Sequence, residues 1–292
     1  MRTEPARLLP HELWFGLFLV VMWLRLLAAA PLTRDTLVFA ILIGANLALI
    51  LFAERSPTRG AWFARLLYYP IAMNVVFQQL RTAIPAVHPG KADAMLQSID
   101  AHLVGGNLSL ALQPWVHPLV TEVLSLCYLL FFPYLAFSIV YYFFFTELAV
   151  VKKFCAGLFS LYGIGFLGYS LVPAGGPYLA MTGQFSVPLA GWQITEWNAA
   201  IVKMGSNGVD VFPSLHCAVS AFLLGFDYRH RRWRFWAYLV PAAGLWLSTI
   251  YLRYHYLIDV VAGFALAALA LAIADRFYRN TSLEARRYAA GS

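Results

Sequence analysis

Two histidines and an aspartate in the C-terminal third of the chain have residue types and spacing suited to acid–base or nucleophilic chemistry. His216 stands in F-P-S-L-H-C-A-V-S-A-F-L-L-G, and His255 and Asp259 stand in Y-H-Y-L-I-D-V-V-A-G. Residues four apart are neighbours on one helix face, so Asp259 is predicted to accept the proton of one His255 nitrogen. The other nitrogen is then free to act as base or nucleophile. A purely structural histidine–aspartate hydrogen bond is the alternative.

The F-P-S-L-H stretch is typical of a helix start that binds an anion. Pro213 is predicted in the first helical turn, where its missing N–H costs nothing. The amides of Ser214, Leu215 and His216 then lack partners within the helix, and such a terminus binds phosphate readily. The Ser214 hydroxyl and the His216 imidazole add further donors. The alternative is a capped helix start with an incidental interfacial histidine.

The composition indicates the class of protein that carries these residues. Of 292 residues, 61% are hydrophobic and 12% are charged, and the mean hydropathy is +0.67. A soluble domain has about 25% charged residues. The sequence therefore predicts an all-α, polytopic membrane helical bundle rather than a soluble protein. In such a protein the net charge of +7 does not indicate a nucleic-acid partner, and we expect none.

Hydropathy and segment length predict about eight membrane spans. A hydrocarbon core about 30 Å thick needs roughly 20 helical residues. The predicted spans are 13–30, 36–53, 62–80, 118–145, 152–172, 211–227, 233–251 and 255–275. The third span is the weakest, because Arg65, Asn74 and two glutamines interrupt its apolar run.

The distribution of lysine and arginine predicts that both termini are cytoplasmic. With eight spans, 15 of the 21 cations fall in cytoplasmic segments, and Arg25 lies inside the first span. The outer segments hold the other five, which are Arg34, Arg81, Lys91, Lys203 and Arg253. Because positively charged loops stay in the cytoplasm, both histidines are predicted at the outer, periplasmic or lumenal face. A signal peptide over residues 1–30, ending in A-A-A, is the alternative for the first span.

We expect one integral membrane domain over residues 1–292. It divides into accessory spans over 13–80, an outer interfacial segment over 81–117, a catalytic core over 118–275 and a cytoplasmic tail over 276–292. In the interfacial segment, an apolar face lying along the membrane is predicted for Leu103, Leu108, Leu110, Leu112 and Trp115.

The two histidine motifs together resemble the second and third signatures of the type-2 phosphatidic acid phosphatase superfamily. The matching stretches, F-P-S-L-H-C-A and S-T-I-Y-L-R-Y-H-Y-L-I-D-V-V-A-G, cover about residues 211–263. The chain is most similar to the inositol phosphorylceramide synthase and sphingomyelin synthase branch, which P-A-G-G-P-Y at 173–178 resembles more loosely. The resemblance implies a six-helix catalytic core with an outward or lumenal His-His-Asp triad.

The resemblance also implies a role for each matching residue. His255 matches the nucleophile that forms a phosphohistidine, Asp259 the carboxylate that orients it, and His216 the acid that protonates the leaving oxygen. Ser214 matches a phosphate-binding serine. The implied reaction moves a phosphoryl group from a lipid phosphate or phospholipid donor to a lipid hydroxyl or water, without a metal or other cofactor.

The chain departs from the superfamily pattern at its phosphate-binding cations. It has no K-x6-R-P signature, Ser248 and Thr249 stand where the phosphatases have Ser-Arg, and Leu215 replaces a glycine. Arg253 and Lys203 are the candidate replacements, with contact to lipid headgroups as the alternative for each. A weakly cationic site suits the lower charge of a phosphodiester, which favours headgroup transfer over monoester hydrolysis.

Three other functions stay open on the sequence. A lipid phosphate phosphatase would release phosphate to water. The same triad would serve as a two-histidine, one-carboxylate metal site, or as a proton or anion relay in a transporter. Transporters often contain internal repeats and paired broken helices, and we find neither. The expected location is a bacterial inner membrane or a eukaryotic Golgi-type membrane.

Overall fold

Helices account for 81% of the computed structural model, which describes residues 8–29 and 31–290, with side chains described as far as residue 277. These described residues contain no strand, so the all-α prediction is confirmed. The helices are α1 (Pro10–Ala29), α2 (Arg34–Arg55), α3 (Arg59–Val87), α4 (Asp93–Val104), α5 (Leu108–Ala111), α6 (Pro118–Leu129), α7 (Phe131–Phe144), α8 (Leu148–Leu171), α9 (Pro177–Ala180), α10 (Gln193–Gly205), α11 (Leu215–His230), α12 (Arg232–Tyr251) and α13 (Leu257–Ala290). Short 3₁₀ turns occur at Gln113–Trp115 and Thr182–Gln184.

Five helical segments among the described residues are long and apolar enough to cross a membrane. They are α1, α2, α6 together with α7, α8, and α13 as far as Phe277. The long helices α3, α11 and α12 coincide with three further predicted spans but do not meet the same criteria of length and hydropathy. The molecule thus has the helices of an integral membrane protein.

The central helix of the bundle is α8. Sixteen of its 24 residues are buried, and α1, α3, α11 and α13 pack around it. Glycines permit this close packing: a Cβ atom at Gly163 would lie 2.6 Å from the backbone nitrogen of Phe15 in α1. A Cβ atom at Gly157 would overlap the ring of Phe222 in α11. Helix α8 therefore contacts both the N-terminal helices and the helices that carry the histidine motifs.

Alternating helix directions bring many helix ends to one end of the bundle. The C-terminal ends of α1, α3, α8 and α12 meet the N-terminal ends of α6, α11 and α13 there. The hydrogen bonds that join them link Arg25 to the carbonyls of Val87 and Ser170, His117 N–H to the Tyr251 hydroxyl, Tyr178 N–H to the Arg253 carbonyl, and Ser214 N–H to the Asp259 carbonyl. Both histidine motifs belong to this end.

The opposite end of the bundle buries charged groups as pairs. Arg65, which interrupts the third predicted span, donates to both carboxylate oxygens of Glu12 at 2.6 and 2.7 Å and to Glu54 at 2.8 Å. Arg234 of α12 donates to Asp227 of α11 at 2.8 Å. A buried charge is tolerated when it is paired and hydrogen-bonded. Arg65 is therefore compatible with a helix inside the bundle.

Several boundaries differ from the predicted spans, and two of them affect the histidines. Helix α11 begins at Leu215 rather than at 211, and α13 begins at Leu257 rather than at 255. Helix α13 also continues through the expected tail segment as far as Ala290, and two helices, α6 and α7, share the predicted span 118–145. The alternative of a signal peptide over 1–30 falls partly outside the described residues, which omit 1–7 and 30.

The packing of α1 on α8 yields a stability prediction. Gly163→Ala should destabilise the protein by about 1–3 kcal/mol, because the added methyl group overlaps backbone atoms of α1 that cannot move aside. Gly44→Ala is the control, since a Cβ atom at Gly44 meets nothing within 4 Å. Thermal unfolding of the detergent-purified chain measures both. Equal midpoints for the two variants would contradict this packing.

Candidate active site

His216 and His255 lie side by side where the helix ends meet. Their ring centroids are 6.1 Å apart. His216 is the second residue of α11, and His255 lies in the turn between α12 and α13. The backbone N–H of Ser214 donates to the Asp259 carbonyl at 3.0 Å, and a Cβ atom at Gly263 would lie 2.6 Å from the Ser214 carbonyl oxygen. Close backbone contact between α11 and α13 therefore joins the two motifs.

His255 and Asp259 are in contact, but not as neighbours on one helix. His255 precedes α13, so the predicted helical stacking of the pair is wrong. The His255 Nδ1 atom lies 3.4 Å from Asp259 Oδ2, beyond the 2.7–3.2 Å usual for a hydrogen bond. The same Oδ2 accepts from Tyr256 N–H at 2.8 Å. His255 and Asp259 are buried, with 3% and 0% of their surface exposed. Asp259 thus faces the imidazole while it holds the start of α13.

The start of α11 differs from the predicted anion site. Pro213 precedes the N-cap residue Ser214 instead of lying in the first turn. The buried Ser214 hydroxyl accepts from Cys217 N–H at 3.4 Å, and the Ser214 N–H is occupied by Asp259. Ser214 therefore caps the helix, and one of the three predicted free amides already has a partner. Phosphate binding by Ser214 stays a prediction.

Aromatic rings surround His216. Tyr128 and Phe131, on either side of the break between α6 and α7, place their ring centroids 4.7 and 4.6 Å from the imidazole. Phe132 follows at 6.2 Å and is 44% exposed. Tyr254 packs on Tyr128 at 4.9 Å. The imidazole is therefore held by aromatic faces near the flank of the bundle.

Two buried aspartates of α4 hold the turn that carries His255. Asp100 accepts from the first amides of α13, those of Leu257 at 2.7 Å and Ile258 at 3.0 Å. Asp93 accepts from the Tyr256 hydroxyl at 2.9 Å and from two glycine amides after α8. The first four amides of a helix have no intrahelical partner, and a negative charge is favourable beside them. Helix α4 therefore fixes the position of this turn.

Sequence reasoning missed Asp93 and Asp100. They stand seven apart in D-A-M-L-Q-S-I-D, which places them on one helix face, with buried Leu96 between them. That spacing was the sequence signal by which the two aspartates could have been identified as a pair. The five residues predicted to form an apolar face along the membrane belong to α4, α5 and the turn that follows. Leu103 and Trp115 are exposed, and the apolar face stays a prediction.

The P-A-G-G-P-Y segment packs against the same turn. Gly176 has a φ of +81°, and a Cβ atom there would lie 2.4 Å from the Tyr254 carbonyl oxygen. Glycine meets both the conformational and the steric requirement. Tyr178 N–H donates to the Arg253 carbonyl at 2.8 Å. This loosely matching segment is thus a structural neighbour of His255.

Arg253 and Lys203 line one cavity of about 650 Å³ beside this turn. The Arg253 guanidinium stacks 4.0 Å from the Phe185 ring centre and donates to the Val187 carbonyl. Burial lowers the pKa of Arg253 from its ordinary value. Lys203 is exposed in the last turn of α10. Among the described residues, neither histidine lines this cavity. The structure therefore brings the two cations together beside the histidines, in a cavity that the histidines do not line.

The triad is not arranged as a metal site. No group of three or more histidine, cysteine, aspartate or glutamate side chains in the described part of the chain has the arrangement of metal ligands. The two-histidine, one-carboxylate alternative therefore has no geometric support.

Asp210 lies in the loop that leads to F-P-S-L-H. Its carboxylate accepts from the Ser206 hydroxyl at 3.1 Å and from Asn207 N–H at 3.2 Å. Burial raises the pKa of Asp210, and these bonds and the neighbouring His255 oppose the rise only in part. An aspartate of raised pKa therefore lies near the imidazole.

The hydrogen bonds from the start of α13 to Asp100 of α4 can be tested by measuring the stability of the protein. Asp100→Ala should destabilise the protein by about 1–3 kcal/mol, because two partly buried amides lose their acceptor. Glu196→Ala removes an exposed carboxylate and is the control. Unfolding midpoints in detergent measure both. A midpoint for Asp100→Ala as high as that of the control would refute the role of α4.

Asp210 predicts a pH dependence. Its pKa in the folded protein lies above the value of about 3.9 for an unfolded aspartate. The contribution of this group to stability is therefore complete at low pH and is lost as the pH rises through the folded pKa. Asp210→Asn should be more stable than wild type at pH 7, and the difference should shrink below about pH 4. Unfolding midpoints across this range measure it, and a pH-independent difference is the contrary result.

One comparison with known proteins identifies a family for this chain. A family model described as the PAP2 superfamily matches residues 94–273. The comparisons with curated proteins and with solved structures give no match. The matched range covers more than half of the chain, and it contains α11, α12 and the turn before α13. Members of this superfamily are generally phosphatases or phosphotransferases acting on phosphate esters. The chain belongs to the PAP2 superfamily.

Proposed function

We propose that this protein is a membrane-embedded phosphotransferase that acts on lipid phosphates or phospholipid headgroups through a phosphohistidine on His255. The observation that carries the proposal is the meeting of two motifs: the His216 and His255 rings lie 6.1 Å apart, with Asp259 3.4 Å from His255 Nδ1. This arrangement puts both imidazoles within reach of one phosphoryl group. A PAP2 member in a membrane has phospholipid-type substrates at hand.

In the first half-reaction, His255 attacks phosphorus and the bond to the leaving oxygen breaks. Asp259 faces Nδ1, which leaves Nε2 as the nucleophilic atom. His216 gives its proton to the departing alkoxide, an effect typically worth about 10²–10⁴ in rate. The aromatic rings around His216 limit the orientations of its imidazole.

In the second half-reaction, an acceptor hydroxyl attacks the phosphohistidine. His216, now neutral, takes the proton of that hydroxyl, and the bond between phosphorus and His255 breaks. With a phospholipid donor, a lipid hydroxyl gives a new phosphodiester, whereas water completes a hydrolysis. No step of this sequence requires a metal or another cofactor.

Ser214, Arg253 and Lys203 bind the charged groups of the substrate in this proposal. Electrostatic stabilisation of the transition state usually contributes most to the acceleration of such reactions. Ser214 is placed at the start of α11, but its hydroxyl already caps the helix. Arg253 and Lys203 line the adjacent cavity, and in this proposal they bind the substrate from that side. This weak set of ligands supports a phosphodiester substrate.

Within the superfamily, we place the chain nearest the inositol phosphorylceramide synthase and sphingomyelin synthase branch. The support is the form of the two histidine motifs, the absence of K-x6-R-P and the P-A-G-G-P-Y segment. That segment packs on the turn before His255, with Tyr178 N–H bonded to the Arg253 carbonyl. The alternative is a lipid phosphate phosphatase that releases phosphate to water.

We further propose eight spans with both termini in the cytoplasm and the triad on the periplasmic or lumenal side. The alternating helix directions support this topology, as does the excess of lysine and arginine in the segments that become cytoplasmic. On this topology the chain is one domain, in which 13–80 are accessory spans and 118–275 form the catalytic core. A bacterial inner membrane and a Golgi-type membrane both fit.

His255→Asn should reduce transfer at least about 10³-fold, because no nucleophile remains, while folding and membrane insertion persist. His102→Asn, at an exposed histidine of α4, is the control. Mass spectrometry of products from a phospholipid panel, with ceramide or diacylglycerol present, measures turnover. Chelator in every reaction tests independence from metals.

The products also separate the alternatives. A new lipid that depends on the added acceptor identifies a transferase, and headgroup or phosphate released to water identifies a phosphatase. Flux of substrate across proteoliposomes without any product would indicate a transporter. More than a trace of transfer by His255→Asn would refute the phosphohistidine.

A further inference from the structure

We infer that the cavity beside the His255 turn is an anion-binding subsite for the lipid headgroup. The headgroup would then carry a second phosphate or carboxylate besides the phosphate that reacts. The inference rests on the proposed function for the location of the reacting phosphate. It is carried by the charges of the residues that surround the cavity.

Three cations line the cavity, and among the described residues no carboxylate does. Arg81 comes from α3, Lys203 from the last turn of α10 and Arg253 from the turn before α13. Arg81 donates to the Ser206 carbonyl at 3.0 Å, and Arg253 is held by Phe185 and Val187. Contacts with neutral groups leave their charges uncompensated. Like charges gathered around one cavity are stabilised by a bound anion.

Lys91 adds a fourth cation at the edge of this space. A Cβ atom built at Gly175 would lie 3.2 Å from the Lys91 Nζ atom, and one built at Gly208, which lines the cavity, would lie 3.9 Å from it. In the described part of the chain, neither Lys91 nor Lys203 forms an ion pair. Lysine ammonium groups and arginine forks are the usual ligands of phosphate and carboxylate.

The carboxylates of Asp93 and Asp210, in or beside the turns around the cavity, accept hydrogen bonds from neutral donors. Asp93 accepts from the amides of Gly175 and Gly176 and from the Tyr256 hydroxyl. Asp210 accepts from Ser206 and Asn207. Their hydrogen bonds are thus directed at the backbone and hydroxyl groups of the turns rather than at the four cations. A bound anionic ligand would supply the negative charge that pairs with these cations.

The cavity is adjacent to the histidines but separated from them by tyrosines. Tyr254 lines the cavity, its ring packs on Tyr128 at 4.9 Å, and Tyr128 packs on His216 at 4.7 Å. The cavity therefore borders the residues that surround His216. A volume of about 650 Å³ accommodates a whole headgroup. A neutral polyol would use the hydroxyl and amide groups there and leave the cations unpaired.

The test compares two soluble headgroups that differ only in the distal phosphate, inositol 1-phosphate and inositol 1,4-bisphosphate. Calorimetric titration of the full chain in detergent should give at least about tenfold tighter binding of the bisphosphate, as expected for charge-assisted hydrogen bonds. The preference should decline with added salt. It should be lost in the combined variant Arg81→Gln, Lys91→Gln, Lys203→Gln, whose three changes are at exposed positions.

Arg34→Gln, an exposed arginine at the start of α2 that does not line the cavity, should keep the preference. Equal affinity for both headgroups, or a preference that survives in the combined variant, would overturn the subsite. Inorganic phosphate that competes as strongly as the bisphosphate would overturn the assignment to a lipid headgroup.

Turnover of phosphatidylinositol and its 4-phosphate distinguishes this inference from the proposed function. A lower KM for the 4-phosphate, lost in the combined variant, supports both. Preferential binding of the bisphosphate without turnover of either lipid would refute the proposed reaction and retain the anion site. Turnover without the binding preference would refute the anion site alone.

Discussion

The start of α13 lies inside the protein, and the geometry of the candidate site depends on how its backbone amides are satisfied. A buried amide without an acceptor costs about 1–3 kcal/mol, and the total stability of a domain is only about 5–15 kcal/mol. Asp259 accepts from Tyr256 N–H, and Asp100 accepts from the two amides that follow. These three bonds determine where the chain enters α13, and the position of His255 in the preceding turn follows from that.

The Asp259 carboxylate therefore has two roles: it stabilises the start of α13, and it faces the histidine of the proposed reaction. Its Oδ2 atom both accepts from Tyr256 N–H and faces His255 Nδ1, and its backbone carbonyl accepts from Ser214 N–H at the start of α11. The approach of α11 requires a glycine at 263, where a Cβ atom would strike the Ser214 carbonyl. The separation of the two imidazoles is therefore set by backbone contacts between two helix starts, not by contacts of the imidazoles themselves.

Sequence patterns predicted the helices well and the helix starts less well, for a physical reason. Long apolar runs are a local property, so the predicted spans coincide with helices even where Arg65 interrupts one of them. The start of α13 is determined by Asp100, which lies 157 residues before Leu257 and acts only in the folded chain. Hydropathy placed the helix start two residues early, at His255, and from that came the incorrect stacking of His255 on Asp259. The histidine pair was found because both motifs are local, whereas Asp93 and Asp100 contribute through long-range contacts.

Two of the four cations at the cavity lie outside the part of the chain that carries the histidines. The match to the PAP2 superfamily spans 94–273 and includes both histidines, Lys203 and Arg253, whereas Arg81 and Lys91 lie before it. Arg81 is borne by α3, and α3 is tied to α1 and α2 through Arg65 with Glu12 and Glu54. The N-terminal helices thus position a cation at the cavity. With this cavity assigned to the headgroup, the residues of the proposed reaction lie in the region 94–273 that matches the superfamily. Recognition of the headgroup charge then depends in part on the N-terminal helices.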